Sequence, residues 1–278
     1  MSDLEVANPE VVDQQVLTSS TFWDDYWLNS RLPVEITKSK STLVSKLSDC
    51  ILSKMDAFLP KNSHFSVLEV GGAPGQYLAN LKRTYDCDVA SLDYSLIGCE
   101  KTRENFALLG LPVDVYECDL FAPVKDIPRF DVVYSLGLIE HFSDLKNVVR
   151  HHAKFVKPGG TLVLGAPSFL GINKWLMQRL SPTLLEWHNL STMDLSNWRD
   201  FERDLGLKPL FEGYIGGFEP RIFGRCEGRN LSTVCLHTFL RVLRIPFSLR
   251  PFKWLNSKLF SAYVLGIYRV GETSAKNL

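Results

Sequence analysis

The chain has 278 residues, 45% hydrophobic and 22% charged, and its formal net charge is zero. This is the composition of an ordinary globular protein, and it excludes a polyelectrolyte binder of nucleic acid. The N-terminus is acidic and lacks an apolar h-region, and no apolar run approaches the ~20 residues of a membrane span. The expectation is therefore a cytoplasmic protein without a secretory signal or transmembrane segment.

Charge is unevenly placed: residues 1–30 carry six acids and no Lys or Arg, whereas residues 221–270 carry nine Lys or Arg and one acid. The six cysteines, at 50, 87, 99, 118, 226 and 235, show no CxxC pairing or metal-ligand spacing. They read as small buried hydrophobes in a reducing compartment, and no metal site is expected.

Residues 1–18 are polar and acidic and are expected to be poorly ordered. Phe22, Trp23, Tyr26 and Trp27 follow as four aromatics in six residues, the pattern of a short helix capping the main domain. Val44, Leu47, Ile51, Met55 and Phe58 mark one helix face over 42–59. Strands are predicted over 65–70, 87–92 (closed by Asp93), 113–118 (closed by Asp119), 130–135 and 161–165. Helices alternate with them, one over 95–109 and another with its face at Phe142, Leu145, Val149, His152 and Val156, capped by Ser143 and stopped by Lys157-Pro158-Gly159-Gly160. Five such alternations predict an α/β fold with a doubly wound, mostly parallel sheet. Beyond Ala166 the pattern loosens into an insertion over 167–192, a helix over 195–205, a strand over 207–214, a basic-aromatic stretch over 217–257 and a last strand over 262–270.

The turn after the first strand, Glu69-Val70-Gly71-Gly72-Ala73-Pro74-Gly75, is where such a sheet binds a nucleotide. A dinucleotide fingerprint needs glycine at relative positions one, three and six; counted from Gly71 these are Gly71, Ala73 and Gln76, so two fail. The other spacing, acid-x-Gly-x-Gly-x-Gly, fails only by Ala73 for Gly. Here the sequence resembles the class I, Rossmann-like, S-adenosylmethionine-dependent methyltransferases of small-molecule type. Further matches are Asp93 at the second strand end, Glu117-Cys118-Asp119-Leu120-Phe121, the run from Phe130 to His141, and Val156-Lys157-Pro158-Gly159-Gly160-Thr161. Together they span residues 65–166.

The resemblance implies a seven-stranded sheet, an N-terminal segment and cap over 1–40, and a methyltransferase domain over 41–278. Its cofactor-binding core is 65–166, with substrate-side insertions at 167–192 and 217–257. The implied cofactor is S-adenosyl-L-methionine: Gly71, Gly72 and Gly75 permit close approach, Glu69 meets the α-ammonium, Asp93 the ribose diol, Tyr94 the adenine face, Asp119 and Leu120 the adenine edge, and Ser135 and Leu136 the sulfonium end. His141 is the candidate general base, because an imidazole suits proton transfer at neutral pH. Trp23, Tyr26 and His188 are candidate substrate-side residues.

The implied reaction is methyl transfer to an O or N nucleophile of a small molecule or saccharide, anionic or lipid-linked. The basic-aromatic stretch 221–260 has three readings: a solvated basic surface over aromatic core residues, peripheral membrane contact with anionic lipid, or recognition of a phosphorylated or carboxylated substrate, with nucleic acid not expected. The competing readings are a nicotinamide-dependent oxidoreductase, which the glycine spacing disfavours, and a non-catalytic binding protein that keeps the fold.

Overall fold

The computed structural model describes residues 16–38, 40, 46–61, 64–123, 126–223, 231–249 and 255–271. Seven strands form one sheet: β1 (Phe65–Val70), β2 (Cys87–Asp93), β3 (Asp114–Glu117), β4 (Phe130–Leu136), β5 (Val156–Pro167), β6 (Leu207–Ile215) and β7 (Tyr263–Val270). Their order is β3-β2-β1-β4-β5-β7-β6. The first five run parallel, and β7 inserts antiparallel between β5 and β6. Chain order reverses between β1 and β4, so the loops leaving these two strands part and open a cleft at their carboxyl ends.

Nine helices are described: α1 (Ser20–Leu28), α2 (Leu47–Asp56), α3 (Gln76–Thr84), α4 (Leu96–Leu109), α5 (Leu145–Lys154), α6 (Ile172–Leu180), α7 (Pro182–Glu186), α8 (Arg199–Asp204) and α9 (Leu231–Ser248). On one sheet face Ile51, Met55, Leu78 and Phe106, from α2, α3 and α4, pack against Val67, Val132 and Tyr134. On the other, Val148, Val149, Ala153 and Phe201, from α5 and α8, pack against Leu68, Val133 and Leu164. Each face buries an apolar layer, which explains why the central strands read as continuous apolar runs.

Local signals locate most element ends. Ser95 caps α4 by accepting from Gly98 N at 2.9 Å, and Gly110 ends it at φ 67°, the left-handed conformation glycine adopts without strain. Four expectations are corrected. Asp144, not Ser143, caps α5, accepting from Asn147 N at 3.0 Å. Val156 is not on that helix but pairs with Phe130 in the sheet; Thr161 then pairs with Val132, so Lys157–Gly160 bulge within β5 instead of preceding it. Val16–Thr18 are placed: Val16 bridges to Phe142, and Leu17 N donates to His141 O at 2.9 Å. The expected helix over 195–205 is a 3-10 turn, Leu195–Trp198, running into α8.

The stretches 167–192 and 217–257 meet in the structure. Leu176, Met177 and Leu180 of α6 share one core with Phe218 and Phe223 and with Leu240 of α9, forming a helical lobe beside the cleft. Residues 1–15, 41–45, 224–230 (with Cys226) and 250–254, parts of the stretches read above, lie outside the described residues, as does the side chain of Phe247.

Candidate functional site

The cleft holds two adjoining cavities. The larger, about 530 Å³, is lined by Glu69, Gly71, Gly72, Ala73, Asp93, Tyr94, Leu136 and Leu138, then Glu140, His141 and His188, with Trp23, Tyr26 and Trp27 over it. The smaller, about 60 Å³, is lined by Cys118, Asp119, Leu120, Phe121 and Phe142 and shares Gly71, Asp93, Tyr94 and Leu138 with the larger. The larger volume falls in the usual range for a small-molecule site.

The turn after β1 shapes the floor. Gly71 takes φ 66°, and a Cβ there would stand 2.7 Å from Leu138 Cδ1. A Cβ on Gly72 would stand 2.1 Å from the Glu69 carboxyl carbon, so glycine here leaves Glu69 room beneath the turn. Gly75 lines neither cavity. It starts α3 at φ 78°, and a Cβ would stand 2.8 Å from Phe106; it serves close packing of the turn on α4.

Three carboxylates define the electrostatics. Glu69 is buried, Oε2 lacks a hydrogen-bond partner, and burial pushes its carboxyl up to about 8. Burial likewise raises Asp93 to about 6, opposed by hydrogen bonds from backbone amides that include Ser95 N at 2.9 Å. Glu140 is also raised by burial to about 8, and its Oε2 has no partner. Among the described residues, no Lys or Arg lines either cavity. A buried carboxylate oxygen left without a donor in a cation-free cavity asks for a cationic ligand. S-adenosylmethionine, with an ammonium and a sulfonium and no pyrophosphate, fits that donor set; Glu69, Asp93, Tyr94, Asp119 and Leu120 are the residues that would hold it.

Asp119 accepts from Phe121 N at 3.0 Å, which fixes its carboxylate at the small cavity. Leu136 lines the large cavity, but Ser135 lines neither; its buried Oγ has no partner. Adjacent strand residues point to opposite faces. With Leu136 toward the cleft, the Ser135 side chain faces away, so the pair does not act together as expected.

His141 follows β4 on a 3-10 turn, Ile139–His141. Its Nδ1 lies 2.8 Å from Trp187 O. A carbonyl only accepts, so Nδ1 carries the proton and Nε2 keeps its lone pair. Burial and the neighbouring His188 hold this imidazole down, to about 4. His188 repeats the arrangement, with Nδ1 2.6 Å from Leu184 O, and its ring centroid lies 4.7 Å from that of His141. The 167–192 stretch is tied to the site by its backbone: Asn189 N donates to Glu140 O at 2.6 Å, and Asn189 Nδ2 to Phe142 O at 2.9 Å. These bonds bring His188 beside a residue 47 positions earlier in the chain.

The cap is anchored at both ends of the site. Asp24 accepts from Ser95 Oγ at 2.6 Å, and the Tyr94 hydroxyl donates to Thr18 O at 3.3 Å. Trp23 packs edge-on against His141. Leu138, Tyr77 and Tyr263 also line the large cavity and escaped the sequence reading. Leu138 alone carried a signal, as the second residue after β4; Tyr263 arrives from a strand more than 120 positions away.

Residues 68–164 match the family described as a methyltransferase domain. The chain is 22% identical over 211 residues to a glycine/sarcosine/dimethylglycine N-methyltransferase of Actinopolyspora halophila, covering 74% of this chain and 37% of that one. It is 33% identical over 95 residues to a ubiquinone biosynthesis O-methyltransferase of Proteus mirabilis, covering 34% and 38%. The chain thus spans well under half the length of these curated relatives. The solved structure of the [4+2]-cyclase SpnF shares the fold, with a TM-score of 0.58 and 15% identity over 93% of this chain and 97% of that one. The family match covers the strands from β1 to β5 and the turns that build most of the two cavities, and over residues 68–164 this chain is similar to a methyltransferase domain.

Proposed function

We propose that the protein transfers a methyl group from S-adenosylmethionine to an oxygen or nitrogen of a small-molecule or saccharide acceptor. The observation that carries this is the unpartnered Glu69 Oε2 in a cavity lined by carboxylates and, among the described residues, by no Lys or Arg. A bound sulfonium supplies a methyl group already activated toward a nucleophile. The chain's own work is to hold the cofactor with Glu69, Asp93 and Asp119, to exclude water with α1, and to orient the acceptor beside His141 and His188. Their Nε2 lone pairs face an entering O–H or N–H and are suited to receive its proton.

A further chamber of about 380 Å³ shares Leu47, Tyr77 and Ile222 with the large cavity and adds Lys46, Ser48, Glu219 and Arg221. Its polar lining suits the non-reacting part of a hydroxylated acceptor. An anionic group would lie there, since three carboxylates surround the reacting end.

No helix among the described residues is long and apolar enough to cross a membrane. Our reading places the protein in the cytoplasm, in peripheral contact with anionic lipid. Phe239, Val242 and Ile245 stand exposed along α9, with Ile172 and Trp175 exposed on the neighbouring α6. Such a face, fringed by Arg241 and Lys174, suits the interfacial plane of a bilayer and would present a lipid-linked acceptor to the chamber at Ile222.

The test is calorimetry with S-adenosylhomocysteine and NAD, followed by a radiolabelled methyl-transfer screen over alcohols, amines and glycosides. Binding of the first ligand and labelling of an acceptor are expected. Binding of NAD alone would overturn the reading, and cofactor binding without transfer would favour a non-catalytic protein.

A further inference from the structure

Three side chains at the acceptor end of the large cavity come from two distant parts of the chain. One carboxylate oxygen of Glu140 and one ring nitrogen each of His141 and His188 lie within 4.8 Å of one another; Glu140 Oε1 is 4.0 Å from His141 Nε2. We infer that Glu140, His141 and His188 form a binding site for one divalent metal ion of the zinc class, with an open position toward the acceptor. The inference rests on the reading of this cavity as the methyl-transfer site.

The outer contacts of the three groups are those of metal ligands. Both imidazoles spend Nδ1–H on a backbone carbonyl, at Trp187 and at Leu184. That is how metal-bound histidines are commonly oriented, with the remaining lone pair aimed at the ion. Glu140 is 1% exposed, lines the cavity, and leaves Oε2 without a partner. Among the described residues, no Lys or Arg lines the cavity to neutralise it. Two imidazoles and one carboxylate with a free fourth position are a catalytic zinc set, not a closed structural one. An ion with bonds of about 2.1 Å sets its donors about 3.4 Å apart, so side-chain rotations of roughly 1 Å close the set.

A cation here would lower the pKa of an acceptor hydroxyl entering the open position. The proton then leaves to solvent, and the freed oxygen pair attacks the methyl carbon as the carbon–sulfur bond breaks and the thioether departs. In the ion-loaded site Nε2 of each imidazole would hold the ion and the proton would go to solvent; the direct proton transfer to Nε2 described above belongs to the ion-free site.

The test uses tag-free, chelator-stripped, full-length protein titrated with Zn²⁺ by calorimetry and with Co²⁺ by visible absorption. One ion per chain is expected, with a visible Co²⁺ band from nitrogen-rich coordination. Glu140→Gln and His188→Ala should each weaken Zn²⁺ at least about tenfold, while S-adenosylhomocysteine affinity, measured on the same samples, is retained. Absence of stoichiometric Zn²⁺ binding by protein that binds S-adenosylhomocysteine, or unchanged Zn²⁺ affinity in a folded His188→Ala variant, overturns the metal site and leaves the methyltransferase reading standing. Loss of S-adenosylhomocysteine binding in the wild type would instead overturn the reading beneath it.

Discussion

The Trp23 indole stands edge-on to the His141 imidazole, ring centroids 5.1 Å apart and planes at 79°. Trp23 Nε1 donates to Thr18 Oγ1 at 3.1 Å, so the ring is held from behind while it covers the reacting end. An aromatic pair of this kind is worth about 0.5–1.5 kcal/mol beyond its buried area. Trp23→Ala should therefore raise the S-adenosylhomocysteine dissociation rate about twofold to tenfold, measured by stopped-flow fluorescence. An unchanged rate would mean that α1 packs beside the site without closing it.

Asp93 sits under the point where the two cavities join. Asp93→Ala removes charge-assisted hydrogen bonds to a ligand diol and should weaken S-adenosylhomocysteine by roughly 1–3 kcal/mol. Calorimetry giving wild-type affinity would take Asp93 out of the binding site.

Glu69 links protonation to both stability and binding. Its folded value of about 8 lies above the ordinary 4.5, so the folded state holds the proton more tightly than the unfolded chain. This contribution to stability is complete below pH 4.5 and is lost as pH rises through about 8, at up to about 1.4 kcal/mol per pH unit. Glu69→Gln should flatten that part of the free protein's stability profile, followed by urea unfolding. At pH 7 the carboxyl is mostly protonated, and an arriving ammonium favours its ionised form. Cofactor binding at pH 7 should then release a proton, seen as a buffer-dependent heat; identical heats in phosphate and Tris would argue against contact with Glu69.

His141→Ala should lower turnover about 10²–10⁴-fold, the usual worth of a positioned acid–base group, with S-adenosylhomocysteine affinity intact. The separation matters because His141 lies at the end of the cleft proposed for the acceptor, whereas Glu69, Asp93 and Asp119 line the part proposed for the cofactor. Wild-type turnover would reduce His141 to a packing partner of Trp23 and His188.

Phe239 is 61% exposed on α9. Phe239→Ser should lower sedimentation with phosphatidylglycerol vesicles severalfold without altering S-adenosylhomocysteine binding, and phosphatidylcholine vesicles should bind weakly throughout. Equal recovery of variant and wild type on both vesicles would leave that face without a membrane role.

Much of the cofactor end was legible in the sequence because it is local. A strand, a turn and a helix start occupy consecutive positions, so the residues from Glu69 to Gly75 and the acids closing β2 and β3 reveal their placement through spacing alone. Even there the reading overreached at Ser135 and Gly75. Strand alternation turns the Ser135 side chain away from the cleft, and Gly75 answers to Phe106, a neighbour that only helix packing supplies.

The acceptor end was not legible, because no local rule joins its parts. The sequence by itself determined the doubly wound sheet, the glycine turn and the strand-end carboxylates Glu69, Asp93 and Asp119 that line the cleft, since these follow from hydrophobic periodicity and from glycine at close turns. Only the tertiary structure decided that 167–192 and 217–249 share one core, that Asn189 ties the first of these stretches to the Glu140–Phe142 loop, and that His188 therefore faces His141. Long-range backbone hydrogen bonds and burial against a common core set those contacts, and neither leaves a period in the sequence.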